Sequence, residues 1–345
     1  MKWWLLLLGS LAACDRPEMA HAQSETCGTC HQAQFASWSR SQHAVSETSP
    51  VFQALLTKVS AQWGTAARAR CESCHSPQHA DPKNIGCISC HAATGNRQEA
   101  NGALIVDVAG PISATRHRPA SPHGTTVRTC LAASELCGTC HEVQGPGLID
   151  EPTLSEHRTA APAADQTCQS CHATDGHAIR GIDPAWGASA EVALAARQSA
   201  LELLQRALTL EISSERGRSA VRLRNTGATH DVPTGATALR DVWVDVVAVD
   251  TTGQRHELRR VIELGARLTG PSGDVALITD AITVENRSLP FQQERVWPLP
   301  STMQLVSVEA TLKARAIRLE TLEALGLSQR AAEVPELIVA TVTTR

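Results

Sequence analysis

The side chains in this sequence that could do chemistry are cysteine and histidine, and they recur at one fixed spacing. The pattern Cys-x-x-Cys-His occurs five times in the 345-residue chain, far more often than 12 Cys and 14 His would give by chance. Two thiols three positions apart can bond to the vinyl groups of one haem, and the adjacent imidazole can coordinate its iron. The sequence therefore predicts five c-type haems, at Cys27, Cys30 and His31; Cys71, Cys74 and His75; Cys87, Cys90 and His91; Cys137, Cys140 and His141; and Cys168, Cys171 and His172.

Two other chemistries also use paired cysteines. Cys-x-x-Cys units bind structural zinc, and a single unit in a cytosolic protein often forms a redox dithiol. Neither chemistry requires a histidine directly after the second cysteine five times over. Haem attachment is therefore the preferred interpretation, and an array of zinc sites or disulfides is the alternative.

Each haem iron also needs a second axial ligand or a vacant position. Methionine is scarce, because Met1 and Met19 lie near the N-terminus and Met303 lies far along the chain. Nine of the 14 histidines lie outside the motifs, so histidine is the predicted second ligand. A haem with two histidines lacks the thioether that raises the potential, so low-potential haems are predicted.

The segments that carry these residues predict two domains of different kinds. Residues 25–183 form short helical patches between loops rich in Gly, Pro and Ser. Only 3% of the chain is aromatic, so haem would supply much of the core there. Residues 184–206 favour a linker helix. Residues 207–345 change to a period of two, with strands predicted at 207–212, 219–224, 241–249, 275–282, 303–312 and 337–343.

The predicted fold class follows from this order of segments. It is a multidomain chain in which a haem-packed, mostly α and irregular multihaem cytochrome c domain precedes an antiparallel β-sandwich domain.

The N-terminus predicts export. A positive start and a short apolar run end in Leu11-Ala12-Ala13-Cys14, which resembles the bacterial lipobox. Residues 1–13 would be a lipoprotein signal peptide, Cys14 the lipidated residue and 14–24 a polar tether. The alternative is cleavage after Ala20-His21-Ala22, which would release a soluble periplasmic form. The predicted location is the periplasmic face of a bacterial membrane, with the cell surface as an alternative.

Charge and the remaining cysteine complete the composition. The formal net charge of −4 gives no electrostatic support for a nucleic-acid partner. The predicted partners are a redox protein donor, a redox protein acceptor and the membrane, through the lipid anchor. Cys130 is left over when the motifs and Cys14 are counted, and it is predicted to be a small buried side chain beside the fourth motif, with an intermolecular disulfide or a ligand as the alternative.

The residues after the first motif carry a family resemblance. His31 is followed by Phe35, Trp38, Ser41 and His43-Ala44, which resembles the first motif region of the cytochrome c-554-like multihaem family. The runs 71–79, 134–143 and 167–172 resemble its later motifs. The resemblance implies second axial ligands at His43, His79, His123 and His177, with His117 and His157 as weaker candidates. One departure is Glu156-His157-Arg158, where the family more often has Trp in the middle, so His157 is the candidate for an aromatic packing position.

One loop of the predicted β domain also resembles this family. Residues 225–235 read Asn-Thr-Gly-Ala-Thr-His-Asp-Val-Pro-Thr-Gly, similar to a loop in the β domain attached to many such cytochromes. Pro233 and Gly235 would stiffen the loop. Our hypothesis is that His230 ligates a haem of the first domain; the alternative is a structural loop in which His230 is only hydrogen-bonded.

Three functions are consistent with these features. The first is an electron carrier that passes single electrons along closely packed, mainly bis-histidine haems between membrane and periplasmic or extracellular redox partners. The second is an oxidoreductase for a small nitrogen or sulfur oxyanion, which needs one open-site haem and acid or base groups beside it. The third is an interaction module whose β domain docks a partner. Histidine surplus, and the absence of Tyr and of a Cys-x-x-Cys-Lys motif, favour the carrier.

Overall fold

The computed structural model describes most of the chain after the N-terminal segment. The described residues are 23–77, 84–97, 100–102, 104–116, 121, 123–163, 165–174, 176–215, 218–300 and 304–344. The predictions for Cys14, His79 and His117 therefore lie outside the described residues. Within these ranges, no helix combines the length and apolar character needed to cross a membrane.

The first half of the chain consists of short elements joined by loops. Its helices are α1 (Ser24–Gly28), α2 (Gln32–Trp38), α3 (Pro50–His75), α4 (Cys87–His91), α5 (Ser134–Gly138), α6 (Thr153–Thr159) and α7 (Cys168–His172). Short 3-10 turns lie at Gln42–Val45 and Thr129–Ala132. Three strand pairs complete it: β1 (Ala93–Asn96) with β2 (Leu104–Val106), β3 (Ile112–Ala114) with β4 (Thr125–Val127), and β5 (Val143–Gln144) with β6 (Asp150–Glu151).

The long helix α3 shows how the local sequence sets these elements. Ser49 caps its N-terminus by accepting a hydrogen bond from the backbone N–H of Phe52, and Pro50 suits the first helical position. Its helical geometry is interrupted at Gly64, which has φ +82°. The second half of α3 then ends in the second Cys-x-x-Cys-His motif, so the motif is held at the end of a well-formed helix.

Helix α8 (Ala190–Ala207) precedes the strand-rich half. Ser189 caps it by accepting from the N–H of Val192, as its position before a run of strong helix formers suggests. The predicted linker segment begins at residue 184, and its helix occupies the part from Ala190 onward. Its buried residues Ala200 and Leu204 face the strands that follow, because α8 contacts the strands at Leu208–Glu215 and Leu337–Thr344.

The second half contains antiparallel strands, as predicted. They are β7 (Leu208–Glu215), β8 (Arg218–Asn225), β9 (Asp241–Asp250), β10 (Arg255–Leu264), β11 (Ala266–Gly270), β12 (Gly273–Asp274), β13 (Thr283–Asn286), β14 (Glu294–Pro298), β15 (Leu305–Arg315) and β16 (Leu337–Thr344). They form sheets of order β10-β9-β15-β16, β14-β8-β7 and β12-β11-β13. Helix α9 (Leu319–Ala324) and 3-10 turns at Ile278–Asp280 and Ser328–Glu333 join them.

The strand predicted at residues 275–282 is wrong. Leu277 and Thr279 are buried at alternate positions, as the pattern suggested. The backbone nevertheless closes into a 3-10 turn, in which the N–H of Asp280 donates to the carbonyl of Leu277 at 3.0 Å. Alternate burial is therefore achieved here by a turn and not by pairing with a neighbouring strand.

One apolar core joins the four-stranded sheet to the sheet of β14, β8 and β7. Val221 and Leu223 of β8 and Val244 and Leu312 of β9 and β15 are all fully buried in the same cluster, together with Leu204 of α8. Full burial of such a side chain contributes about 1.5–3 kcal/mol. These alternate inward positions explain the period-two pattern of the sequence.

The two halves of the chain are also packed against each other. Val51 of α3 lies in a cluster with Ile317 and Leu322 of the second half. Arg240 forms an ion pair with Asp183, in which its Nη2 donates to Oδ2 at 3.1 Å. The halves therefore share apolar and charged contacts.

Candidate functional site

Each Cys-x-x-Cys-His motif lies on one helical turn. In the first and fourth motifs the backbone N–H of His31 and His141 donates to the carbonyl of the first cysteine, four residues earlier, at 2.8 and 2.9 Å. The other three motifs lie within α3, α4 and α7. Side chains at i and i+3 share a helix face, so the two thiols of a motif point to the same side. No two cysteines in the described ranges form a disulfide with each other.

Backbone carbonyls fix the rings of three motif histidines. Nδ1 of His75 lies 2.9 Å from the carbonyl of Ser46, Nδ1 of His91 lies 2.8 Å from that of Ser113, and Nδ1 of His172 lies 2.8 Å from that of Arg180. A carbonyl can only accept, so Nδ1 carries the proton and donates it. This leaves a lone pair on Nε2, which is the state of a metal-ligating histidine.

Four motif histidines face a second histidine from elsewhere in the chain. A transition metal binds imidazole nitrogen at about 2 Å, so a metal between two rings would separate their centroids by about 6 Å. The four observed separations are 6.0–6.5 Å, which fits one iron between each pair of rings. The pairs are His31 with His123 at 6.2 Å, His141 with His43 at 6.5 Å, His91 with His177 at 6.0 Å, and His172 with His230 at 6.2 Å.

Backbone carbonyls orient two of the second members of these pairs, and burial keeps three of them neutral. Nδ1 of His123 and Nδ1 of His230 each donate to a backbone carbonyl at 2.8 Å, those of Gly124 and Asp231. Burial lowers the pKa of His43 and of His230 to about 4, and it also lowers the pKa of His177. These imidazoles are therefore uncharged at neutral pH, as ligation requires.

The second motif has a different arrangement among the described residues. The ring of Phe52 stacks on the imidazole of His75, with centroids 3.7 Å apart and planes 15° apart. Ser46 holds the same histidine twice, because its hydroxyl donates to the His75 carbonyl at 2.6 Å and its own carbonyl accepts from Nδ1. Neither contact was foreseen from the sequence, since no motif marks Ser46 or Phe52.

His157 and Cys130 take no part in these histidine pairs. Nδ1 of His157 lies 2.9 Å from Thr229 Oγ1, and its Nε2 lies 3.2 Å from Ser134 Oγ. Both nitrogens are therefore engaged by hydroxyl groups, which favours the packing position over iron ligation. The prediction that Cys130 is buried is wrong, because the Thr129–Ala132 turn that contains it leaves it exposed.

The motifs also lie close to one another in a definite order. Cysteine side chains of different motifs are close neighbours in three cases: Cys27 with Cys87, Cys74 with Cys140, and Cys137 with Cys168. Cys90 of the third motif interacts electrostatically with Cys137 and Cys140 of the fourth. The first motif thus neighbours the third, and the fourth neighbours the second, third and fifth.

Comparisons with known proteins place the fold in one class. The fold is that of a multihaem c-type cytochrome: it matches the crystal structure of a penta-haem cytochrome c552 from Thermochromatium tepidum with a TM-score of 0.71, over 95% of this chain and 99% of that one, at 17% identity. The multihaem cytochrome MtrA of Shewanella baltica is 28% identical over 187 residues, or 46% of this chain. The chain spans about half of that relative, 48% of its length. No protein-family model matches the chain. The resemblance to multihaem c-type cytochromes is confirmed.

Proposed function

We propose that this chain is an exported pentahaem c-type cytochrome that carries single electrons between the membrane and periplasmic or extracellular redox partners. The observation that supports it best is the set of four imidazole pairs, each with one motif histidine and a centroid separation of 6.0–6.5 Å. Haem would be attached through the ten motif cysteines, and the cysteine-to-histidine turns would present one proximal imidazole to each.

The ligand assignment follows the facing rings. His123, His177, His43 and His230 would complete the sites of the first, third, fourth and fifth motifs, in that order. At the second site, proximal His75 would be completed by His79 or His117, the candidates that remain.

The chain's own residues support electron transfer by keeping this ligand set fixed. When bound, the haems would supply low-potential one-electron carriers, because two imidazoles do not raise the potential as a thioether does. Carbonyl acceptors at Nδ1 hold the rings in one tautomer and one orientation. A buried ring that cannot reorient needs little rearrangement when the charge of its site changes.

The contacts between motifs support a branched order of sites. The first site neighbours the third, the third neighbours the fourth, and the fourth also neighbours the second and the fifth. The site of His141 and His43 is then the branch point of the array. Electrons that enter at the first site would pass the third site and then this one before reaching the second or the fifth.

The rest of the chain has a supporting part in this proposal. The strand-rich half would be a β-sandwich, since two of its sheets share one core, and it would supply His230 to the first half. The lipid on Cys14 would hold the protein at the membrane. This tether would keep the carrier near a membrane donor.

A second candidate function is favoured by one carboxyl group. Glu151 lies within electrostatic reach of the thiols of Cys71 and Cys74, and burial raises the pKa of its carboxyl. A buried carboxyl beside the second site could transfer a proton in the reduction of a small nitrogen or sulfur oxyanion there.

Low-temperature electron paramagnetic resonance of the full chain, combined with a haem count and a redox titration, tests both candidates. We expect five haems per chain, low-spin ferric signals and low midpoint potentials. A high-spin signal at one haem that changes on addition of nitrite or hydroxylamine would instead support the oxidoreductase. Fewer than five haems would contradict the attachment sites themselves.

A further inference from the structure

Helix α6 of the first half is the element on which the His230 loop rests. Thr153 Oγ1 lies 2.9 Å from Thr234 Oγ1. Glu156 Oε2 accepts two hydrogen bonds from the loop, one from the hydroxyl of Thr234 at 2.5 Å and one from the backbone N–H of Asp231 at 3.2 Å. The loop is therefore attached to α6 on the C-terminal side of His230.

His157 of the same helix makes the contact on the other side of His230. Its Nδ1 lies 2.9 Å from the hydroxyl of Thr229, the residue directly before His230. The side chain is buried, with 7% of its surface exposed, so water does not compete for this bond. The two ring nitrogens of His157 point in different directions, and Nε2 points away from the loop.

That second nitrogen connects to the fifth motif. Nε2 of His157 lies 3.2 Å from Ser134 Oγ, and this hydroxyl accepts the backbone N–H of Cys168 at 3.1 Å. Cys168 begins helix α7, which ends at His172. One continuous set of hydrogen bonds thus runs from the helix of His172, through Ser134 and His157, to the loop of His230.

The protons can satisfy every bond in this set. Ser134 accepts from Cys168, so its own proton is free to be donated to Nε2 of His157. Nε2 is then an acceptor, and the proton on Nδ1 can be donated to Thr229. A Trp at this position, with a single ring N–H, could bond to one side only. Imidazole is the ring that reaches both.

We propose that His157 is a positioning residue that sets the separation of the His172 and His230 rings by bonding to the segments that carry both. It does not touch the iron site itself and acts through Ser134 and Thr229. This inference rests on the proposed function, because it concerns a ligand pair of the proposed fifth haem site.

The test compares variants of the full-length, haem-loaded protein. His157→Phe keeps a ring but removes both hydrogen bonds, whereas His157→Asn can retain the bond made by Nδ1 and His157→Gln the bond made by Nε2. His256→Phe is the matched control, since His256 bonds to Asp250 in a turn of the β half. Haem content, low-temperature electron paramagnetic resonance and a redox titration are measured for each variant.

We expect His157→Phe to change one haem only. One low-spin signal should shift or become high-spin and one midpoint potential should move, while the other four haems keep their wild-type values. His157→Asn and His157→Gln should give smaller shifts at that same haem, and His256→Phe should give none.

A folded His157→Phe protein with all signals and potentials unchanged would overturn the inference, and so would changes spread over several haems. If His157→Phe does not load haem, the Asn and Gln variants decide, because unchanged spectra in both would also overturn it. A wild-type protein without low-spin signals would contradict the proposed function before any variant is compared.

Discussion

The imidazole of His230 faces that of His172 with a centroid separation of 6.2 Å and an interplanar angle of 21°, although the two residues belong to different halves of the chain. His172 ends a short helix of the first half, and His230 lies in a loop between strands of the second. A site completed in this way depends on the packing of the halves. The strand-rich half is then part of the proposed redox machinery.

Replacement of His230 should leave the proposed haem of the fifth motif without its second axial ligand. In His230→Ala, we expect one of the low-spin ferric signals to be replaced by a high-spin signal and one midpoint potential to rise, because one imidazole ligand is lost. Haem content should stay the same. His256→Ala serves as the control and should match the wild type, and an unchanged spectrum for His230→Ala would contradict the ligand assignment.

The branch point predicts an unequal effect of two ligand replacements. His43 belongs to the proposed central site and His123 to a site at one end. Loss of His43 should therefore slow reduction of the sites beyond it, which stopped-flow absorption would show as an added slow phase. His123→Ala should leave the remaining haems in a single phase. Equal traces for both variants would contradict the branched order.

The ion pair between the halves should contribute measurably to stability. Arg240 is 13% and Asp183 is 34% exposed. Arg240→Met leaves a partly buried carboxylate unpaired, so we expect a loss of about 2 kcal/mol in the free energy of unfolding, measured by denaturant titration. Arg267→Met breaks the exposed pair with Asp274, where solvent screens both charges, and should cost clearly less than Arg240→Met. Similar losses of stability in both variants would argue against a role for Arg240 in holding the two halves of the chain together.

Substitution in the core between the four-stranded sheet and the sheet of β14, β8 and β7 should lower the stability further. Leu312 is fully buried in this core. Leu312→Ala removes apolar contacts and leaves a cavity, so the free energy of unfolding should fall by about 2–5 kcal/mol. Val296 is 45% exposed, and Val296→Ala should cost no more than about 0.5 kcal/mol. Thermal unfolding followed by far-ultraviolet circular dichroism compares the two.

Glu156 joins helix α6 to the His230 loop through hydrogen bonds, and its carboxyl should make the stability of the protein depend on pH. Burial raises the pKa of this carboxyl from 4.5 to about 7, against the opposing effect of the Thr234 hydrogen bond. The folded protein therefore favours the protonated form, and this group's contribution to stability falls as the pH rises from below 4.5 to above 7. Gln does not titrate, so the free energy of unfolding of Glu156→Gln should rise relative to the wild type across that range. The expected gain is only about 1 kcal/mol, because the carboxyl is partly exposed and water screens its charge.

A second glutamate provides a control of opposite sign. The hydrogen bond from Arg330 lowers the pKa of Glu333. Its contribution is fully present above pH 4.5 and is lost as the pH falls through the lowered folded pKa, so Glu333→Gln should lose stability relative to the wild type as the pH rises to 4.5 and should stay level above it. Denaturant titrations of the two variants should therefore differ: the Glu156→Gln advantage grows between pH 4.5 and 7, whereas the Glu333→Gln deficit is constant there. Parallel curves would contradict the assignment for Glu156.

Local patterns determined the elements of this protein. A Cys-x-x-Cys-His motif fits within one helical turn, so its chemistry could be predicted from five adjacent residues. Helix α8 follows from Ser189 and the helix formers after it, and β9 from its alternating residues. Residues 275–282 alternate in the same way and yet form a turn, because alternation determines burial and not strand pairing.

Only the tertiary structure decided which side chains meet. The sequence predicted His43, His123, His177 and His230 as a set of candidates, but the facing partner of each depends on how distant loops pack. The same holds for His157, whose two hydrogen bonds join segments that no local pattern connects. Spacing along the chain sets chemistry within a helical turn, whereas contacts between residues far apart in sequence are set by burial and hydrogen bonding over the whole fold.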